Sequence, residues 1–186
     1  DTVVLAIPNV QAAYLLRQSG APAAQFKALA ATEAVSVAPC WTLMLAFPLV
    51  QPGLGQMGPQ WNVAQSTHHR IAWVARESSK PGRSPIERWT VQASAEWSQE
   101  HLDDDENRVT AKLLKAFAEL TGIRAEPGFT QTHLWRYAKT TQPMGKRHHW
   151  DAKLKLGVCG DWLLGHRVED AFVSGLSLAL TVADKS

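Results

Sequence analysis

Residues 160–179 read GDWLLGHRVEDAFVSGLSLA. A Gly-Asp pair closes the apolar run at 154–159, a short loop follows, and a helical pattern starts at Val168 with Glu169 and Asp170 in its first turn. Strand, loop and helix in that order make one geometric object. The helix start directs unpaired N–H groups and the positive end of the dipole at whatever lies past the strand. Gly160 leaves room for a ligand to approach the backbone, and Gly165 allows a loop conformation that other residues resist. Asp161 offers a carboxylate to hydroxyl groups. The small residues Ala171, Ser174, Gly175 and Ala179 let the helix lie close to a neighbour. A ligand with a polyol and an electron-rich carbonyl suits such a junction. A tight strand-to-helix turn that uses Gly and Asp for turn chemistry alone suits the same residues.

Outward from this junction, Leu154–Cys159 reads as a strand and 168–182 as a helix. At the other end, Val3–Ile7 is a short apolar run stopped by Pro8, the pattern of a strand buried on both faces of a parallel sheet. Asn9 caps a helix reaching Gln18, with Gly20 as its stop. Pro22–Ala31 is a second, Ala-rich helix. The middle of the chain is different. Residues 33–47 hold one or two strands, of which Trp41–Phe47 is the clearer, and Arg70–Arg76, Glu87–Ala93 and Phe129–Thr140 are strands. In 87–93, Trp89, Val91 and Ala93 alternate against Arg88, Thr90 and Gln92, so one face is buried. Leu134, Arg136 and Ala138 alternate against Trp135 and Tyr137. Val109–Leu120 is an amphipathic helix with Val109, Leu113, Leu114, Phe117 and Leu120 in one stripe; the acids of 103–106 precede it, where the dipole favours them, and Gly122 ends it. The ends therefore read as α/β with parallel strands and the middle as antiparallel α+β.

Composition narrows the function classes. The 186 residues suit one domain or one and a half, and the net charge of +2 argues against a nucleic-acid surface. No run approaches the length of a membrane span. The start has neither the basic region nor the cleavage site of a signal peptide, and without Met it reads as a fragment or a trimmed product. Cys40 and Cys159 match no metal or redox spacing and read as reduced core residues of a cytoplasmic protein, with a disulfide between them as the alternative.

Several patterns are decoys. Residues 53–58 match G-x-G-x-x-G, with Glu77 downstream, but Pro48 and Pro52 precede the glycines, Pro59 follows, and no helix pattern starts there, so the pyrophosphate has no helix terminus to meet. His68-His69 and His148-His149 are adjacent, and neighbours in a strand point to opposite faces, which does not chelate one metal. The acids of 103–106 lack the spacing of a calcium loop. No G-x-S-x-G elbow exists. The chain has eight tryptophans; most read as core. Trp135 and Tyr137, on one strand face, offer a wall for a flat aromatic ligand as well as core packing.

Leu156-Gly-Val-Cys-Gly160-Asp161-Trp-Leu-Leu-Gly165, then Arg167-Val168-Glu169, Ala171 and Ser174-Gly175, resembles the C-terminal flavin-binding motif of the flavin-containing amine oxidases, in their renalase-like branch. DTVVLAIPNVQAAYLL resembles the strand and helix by which that family leaves its FAD domain. RIAWVARESSKPGR, ERWTVQASAEWSQEHL and HLWRYA resemble substrate-domain segments. The resemblance implies an antiparallel-rich substrate domain at 32–145, flanked by partial Rossmann-like FAD-domain elements at 1–31 and 146–186. It implies FAD as cofactor, bound at Gly160, Asp161, Gly165, Arg167, Val168 and Glu169, with Asp161 bonding the ribityl chain and the backbone around Arg167, Val168 and Glu169 facing the N1/C2=O edge. It places Trp135 and Tyr137 as substrate-binding residues above the isoalloxazine. The implied activity is that of an oxidoreductase: hydride passes from a small-molecule substrate, dihydronicotinamide-like or an amine, to flavin, and dioxygen reoxidises it to give hydrogen peroxide. No catalytic base is implied. The family's own G-x-G-x-x-G segment is expected before Asp1, so the chain reads as a fragment, inactive alone. His166 and Asp170 depart from the small residues usual there, and Asp170 puts a second negative charge beside a site meant for an anion. A non-catalytic binding module that forms a homo-oligomer through the uncovered sheet is the alternative.

Overall fold

The computed structural model describes residues 1–20, 26–48 and 58–184. It divides into two compact units: 1–38 with 137–186, and 39–136. Among the described residues the strands form two sheets. One has three strands and belongs to the first unit; the other has five.

In the first unit, β1 (Val3–Leu5) pairs parallel with β8 (Leu156–Val158), which pairs antiparallel with β7 (His149–Asp151). Helix α1 (Asn9–Gln18) and the short α2 (Leu29–Glu33) pack on one face, where Ala13, Leu16, Phe26, Leu29, Leu156, Val158, Trp162 and Leu163 form a core. Helix α5 (Val168–Ala183) meets the other face through Leu178. Gly157 makes that approach possible, since a Cβ there would stand 2.8 Å from Leu178 Cδ1 and 3.1 Å from Trp150 Cε3. Parallel pairing is as expected, but burial on both faces is not. Val3 and Val4 are 52 % and 47 % exposed, because β1 is an edge of this sheet. Asn9 also departs from its expected capping role. Its side chain is buried, and its amide donates to the Thr32 and Val35 carbonyls at 3.2 and 3.1 Å, tying α1 to the end of α2. Residues 22–25 of the second expected helix lie outside the described residues; among those described, Leu29–Glu33 is helical.

The second unit is built on an antiparallel sheet of order β3-β4-β5-β2-β6. Its strands are β2 (Ser36–Phe47), β3 (Val63–Gln65), β4 (Ile71–Arg76), β5 (Glu87–Ala93) and β6 (Phe129–Gln142); β2 and β6 run on into the first unit. Residues 36–47 are one continuous strand rather than two. Helices α3 (Ala95–Glu100) and α4 (Glu106–Thr121) cover one face. Trp97, Val109, Leu113, Ala116 and Phe117 from the helices meet Trp41, Leu43, Leu45, Phe47, Ile71, Val74, Trp89 and Val91 from the strands. The expected stripe of α4 is therefore the core face, with Leu114 and Leu120 at its margin. Asp105 caps α4, accepting from the Asn107 and Arg108 amides at 3.0 and 3.3 Å, and Asp104 pairs with Lys112 at 3.0 Å. The acidic run is a helix start, as its position implied. Gly122 ends the helix in the left-handed conformation that favours glycine, at φ 74°.

Gly157→Ala drives a methyl group into the side chains of Leu178 and Trp150. Overpacking of this kind costs about 1–3 kcal/mol. The expected result is a melting temperature lowered by several degrees, read by circular dichroism; an unchanged value contradicts the packing described.

Candidate functional site

Side-chain and backbone bonds together hold the 160–170 turn, the Leu164 and Gly165 amides both donating to the Asp161 carbonyl at 2.8 Å. The Gly160 N–H donates to Ser174 Oγ at 2.9 Å, and Ser174 is fully buried on α5. The Trp162 indole N–H donates to the Ile7 carbonyl at 3.0 Å. Asp161 Oδ1 accepts from the Trp162 amide at 2.9 Å, inside a 3-10 turn over Asp161–Leu163. Gly160 sits at φ +155°, and a Cβ there would stand 2.5 Å from Trp162 Nε1. Glycine is needed at 160, but the group that comes close is the Trp162 ring. Gly165 is required for space, since a Cβ would stand 2.5 Å from Asp170 Oδ2; no left-handed conformation is involved.

Asp170 resolves the departure noted in the sequence. Its Oδ2 accepts from the His166 and Arg167 amides at 3.1 and 2.9 Å. The carboxylate turns back over the turn as a helix-capping acid. It therefore consumes two of the amides that an outside ligand would otherwise meet. The Val168 and Glu169 amides have no acceptor among the described residues. Val168 is 86 % exposed, and Arg167 and Glu169 are exposed beside it. The junction thus keeps two free amides at the positive end of a 16-residue helix, with the half-buried Asp161 at the strand end. Such a pair suits a neutral or weakly negative carbonyl edge better than a full anion, because Asp170 already offsets much of the dipole.

Beyond the turn, α5 is apolar on its outer side. Val168, Phe172, Leu176 and Leu180 recur every fourth residue and are 86 %, 69 %, 48 % and 57 % exposed. A Cβ on Gly175 would meet nothing within 4 Å, so the close approach expected of the small residues is realised only at Ser174. A cavity of about 320 Å³ opens here, lined by Val4, Gly175, Leu178, Ala179, Val182 and Ala183.

The remaining candidates are placed as follows. Trp135 and Tyr137 are exposed, two residues apart on β6, and the Trp135 and His133 rings meet in a T-shaped pair with centroids 4.4 Å apart. Trp41, Trp89, Trp97 and Trp162 are core. Residues 53–57 of the glycine-rich decoy lie outside the described residues; the Pro59 carbonyl after it accepts from Arg76 Nη2 at 2.8 Å. The His68 and His69 rings stack at 4.5 Å rather than pointing apart, because this segment is a bend and not a strand. No group of three metal-ligating side chains occurs among the described residues. Both cysteines are free, and burial pushes both thiols up, away from a reactive thiolate. No described helix is long and apolar enough to cross a membrane.

No protein-family model matches the chain. Solved structures do. A protein of Exiguobacterium sp. 255-15 assigned as a protoporphyrinogen oxidase matches over 100 % of this chain at 13 % identity, with a TM-score of 0.73. Cyclohexylamine oxidase from Brevibacterium oxydans IH-35A matches over 99 % at 12 % identity, TM-score 0.65, and an oxidoreductase from Methanosarcina mazei over 97 % at 17 %, TM-score 0.61. The chain has the fold of part of these oxidoreductases. It spans 42–43 % of their length.

Removing either end of the turn's bonding separates two costs. Ser174→Ala leaves the Gly160 N–H without its partner, about 1–3 kcal/mol. Asp170→Ala removes a cap at an exposed helix start, about 1 kcal/mol. Urea unfolding is expected to rank Ser174→Ala as the more destabilising. The reverse order contradicts the assignment of Ser174 as the principal anchor.

Proposed function

We propose that these residues are the substrate-side and closing part of an FAD-dependent oxidoreductase of the amine oxidase type, in its renalase-like branch. The observation that carries the reading is the strand–turn–helix at 156–170, where two free amides and a carboxylate lie together on a rigid turn, within a fold shared with amine and protoporphyrinogen oxidases. The residues fit part of a flavin. Asp161 would accept from ribityl hydroxyls, and the Val168 and Glu169 amides would meet the pyrimidine carbonyl edge at the positive end of the helix. Bound there, the flavin supplies a two-electron acceptor for hydride taken from a reduced substrate, with dioxygen as the final oxidant. Trp135 and Tyr137 present aromatic surface for that substrate.

The apolar side of α5 and the free edge of β1 support the further reading that a longer polypeptide covers them. Four large apolar side chains at helical spacing do not face water by preference. On this reading the 186 residues take up FAD weakly and lack turnover, whereas a longer protein containing them holds flavin and is yellow. Absorbance and fluorescence titration with FAD measures both. Tight stoichiometric uptake by the 186 residues overturns the fragment reading; a colourless longer protein that also ignores added FAD overturns the oxidoreductase reading. A second reading, a non-catalytic module that self-associates, draws on the same stripe. It requires a mass that rises with concentration in sedimentation and is restored to that of the monomer by Phe172→Asp.

A further inference from the structure

Strand β6 ends the five-stranded sheet, with β2 as its one neighbour among the described residues. Its other edge presents backbone N–H and C=O groups on which another extended segment can pair. Folded proteins keep such edges short or blunt them with proline. β6 runs over 14 residues and contains no proline. Its first part, Phe129–Arg136, belongs to the second unit.

A cavity of about 470 Å³ opens beside this part of the strand. Trp41, Leu102 and Leu134 line it with apolar surface, and Asp103, Glu106 and Arg136 line it with charge. Side chains alternate along a strand, so Thr132, Leu134 and Arg136 point to one side of β6 and His133 to the other. All four line the cavity, which therefore reaches round the strand at its free edge. The charges are ordered along β6. Thr110 and Thr132 share a hydrogen bond at 2.6 Å, and Thr110 Oγ1 donates to the Glu106 carbonyl at 2.7 Å. The first turn of α4, with Glu106, is thereby tied to the strand at Thr132. Arg136 lies four residues further along on the same side. The Asp103 and Glu106 carboxylates and the Arg136 guanidinium bond no other described residue. Asp104 is already paired with Lys112 and Arg108.

We infer that the free edge of β6 docks an extended peptide segment, antiparallel to it, that carries an acidic residue followed four positions later by a lysine or arginine. The acid meets Arg136, and the cation enters the cavity at Asp103 and Glu106. Main-chain bonds to β6 supply affinity, and the two charges fix the register. Antiparallel pairing is the slightly more stable arrangement per residue. The residues between the charges alternate to the other side, beside His133 and Trp135, where β-branched side chains fit. A second copy of this chain does not suit the edge: β6 carries His133, Arg136 and Lys139 and no acid, so self-pairing leaves Arg136 without a partner of opposite charge. The flavin reading uses neither the cavity nor the edge, and the outcome here bears on it in neither direction.

The test uses the full 186-residue chain, ¹⁵N-labelled, titrated with the peptide acetyl-EVTVKV-amide. In the inferred register its glutamate faces Arg136 and its lysine faces Thr132. Saturable shifts are expected at the amides of 131–136 and around Asp103 and Glu106. Acetyl-EVTVEV-amide, which replaces the lysine by glutamate, is expected to bind about fivefold more weakly or worse. Acetyl-EVPPKV-amide is expected to leave the β6 amides in place, because two adjacent prolines remove a main-chain donor whichever residues face the edge. Asp103→Asn and Glu106→Gln are each expected to weaken the first peptide by about two- to fivefold, the worth of one solvent-accessible ion pair. Both positions are exposed, and an unchanged amide spectrum elsewhere verifies the fold. The absence of a saturable shift, shifts that miss β6, a control peptide that binds as well as the first, or acid variants that both bind like the parent each overturn the inference. So does a chain that self-associates through β6 without added peptide.

Discussion

The hydrogen bond from the Gly160 N–H to Ser174 Oγ, inside the first unit, is what makes the C-terminal junction a defined surface. Ser174 lies two turns into α5, fully buried, and it fixes the strand end against the helix. The Trp162 indole, bonded to the Ile7 carbonyl, clamps the same turn from the α1 side. With both ends held, the amides of the helix start keep fixed directions. Asp170 then determines how much of the terminus remains open: it occupies the amides of His166 and Arg167 and leaves those of Val168 and Glu169. The negative charge that looked misplaced is thus part of the turn. It also tunes the junction toward carbonyl oxygen and away from strong anions.

The second unit obeys a different constraint. One face of its sheet must be apolar to hold α3 and α4, and the strands deliver that face through alternation in β2 and β5. β4 cannot do so by alternation alone, because IAWVAR is nearly continuous in apolar residues. A bulge between Ile71 and Trp73 settles which of them go inward, keeping Ile71 and Val74 in the core and releasing Trp73. Arg76 returns to the inner side, where it bonds Glu87 at 2.9 Å and lies 4.7 Å from the centre of the Trp89 ring, a buried charge with its partners in place.

Much of this is written in local pattern. The stripe of α4 with Gly122 after it, the alternation of β5, and the Gly-Asp turn before α5 each depend on neighbours in sequence, and each is found where the pattern puts it. What escapes local reading depends on distant partners. Asn9 looks like a cap, but the carbonyls it bonds are more than twenty residues away. Val3 and Val4 look like the centre of a sheet, and only the pairing order makes β1 an edge. The bulge in β4 has no signature in a run of apolar residues, so Trp73 reads as core like the other tryptophans. α3 is only six residues long and gives no periodicity, although Ser94 caps it. Asp170 was legible in principle: an acid three residues past the helix start is the position from which a side chain folds back to the cap.

We propose that the start of α5 receives an electron-rich carbonyl edge at the Val168 and Glu169 amides. Backbone amide shifts during titration with riboflavin, which carries the ring and the ribityl chain without the nucleotide, measure this directly. Weak but saturable downfield movement of these two amides is expected, together with perturbation around Asp161. Riboflavin-induced shifts that leave 161 and 168–169 unmoved, or no shifts at any concentration, would contradict it.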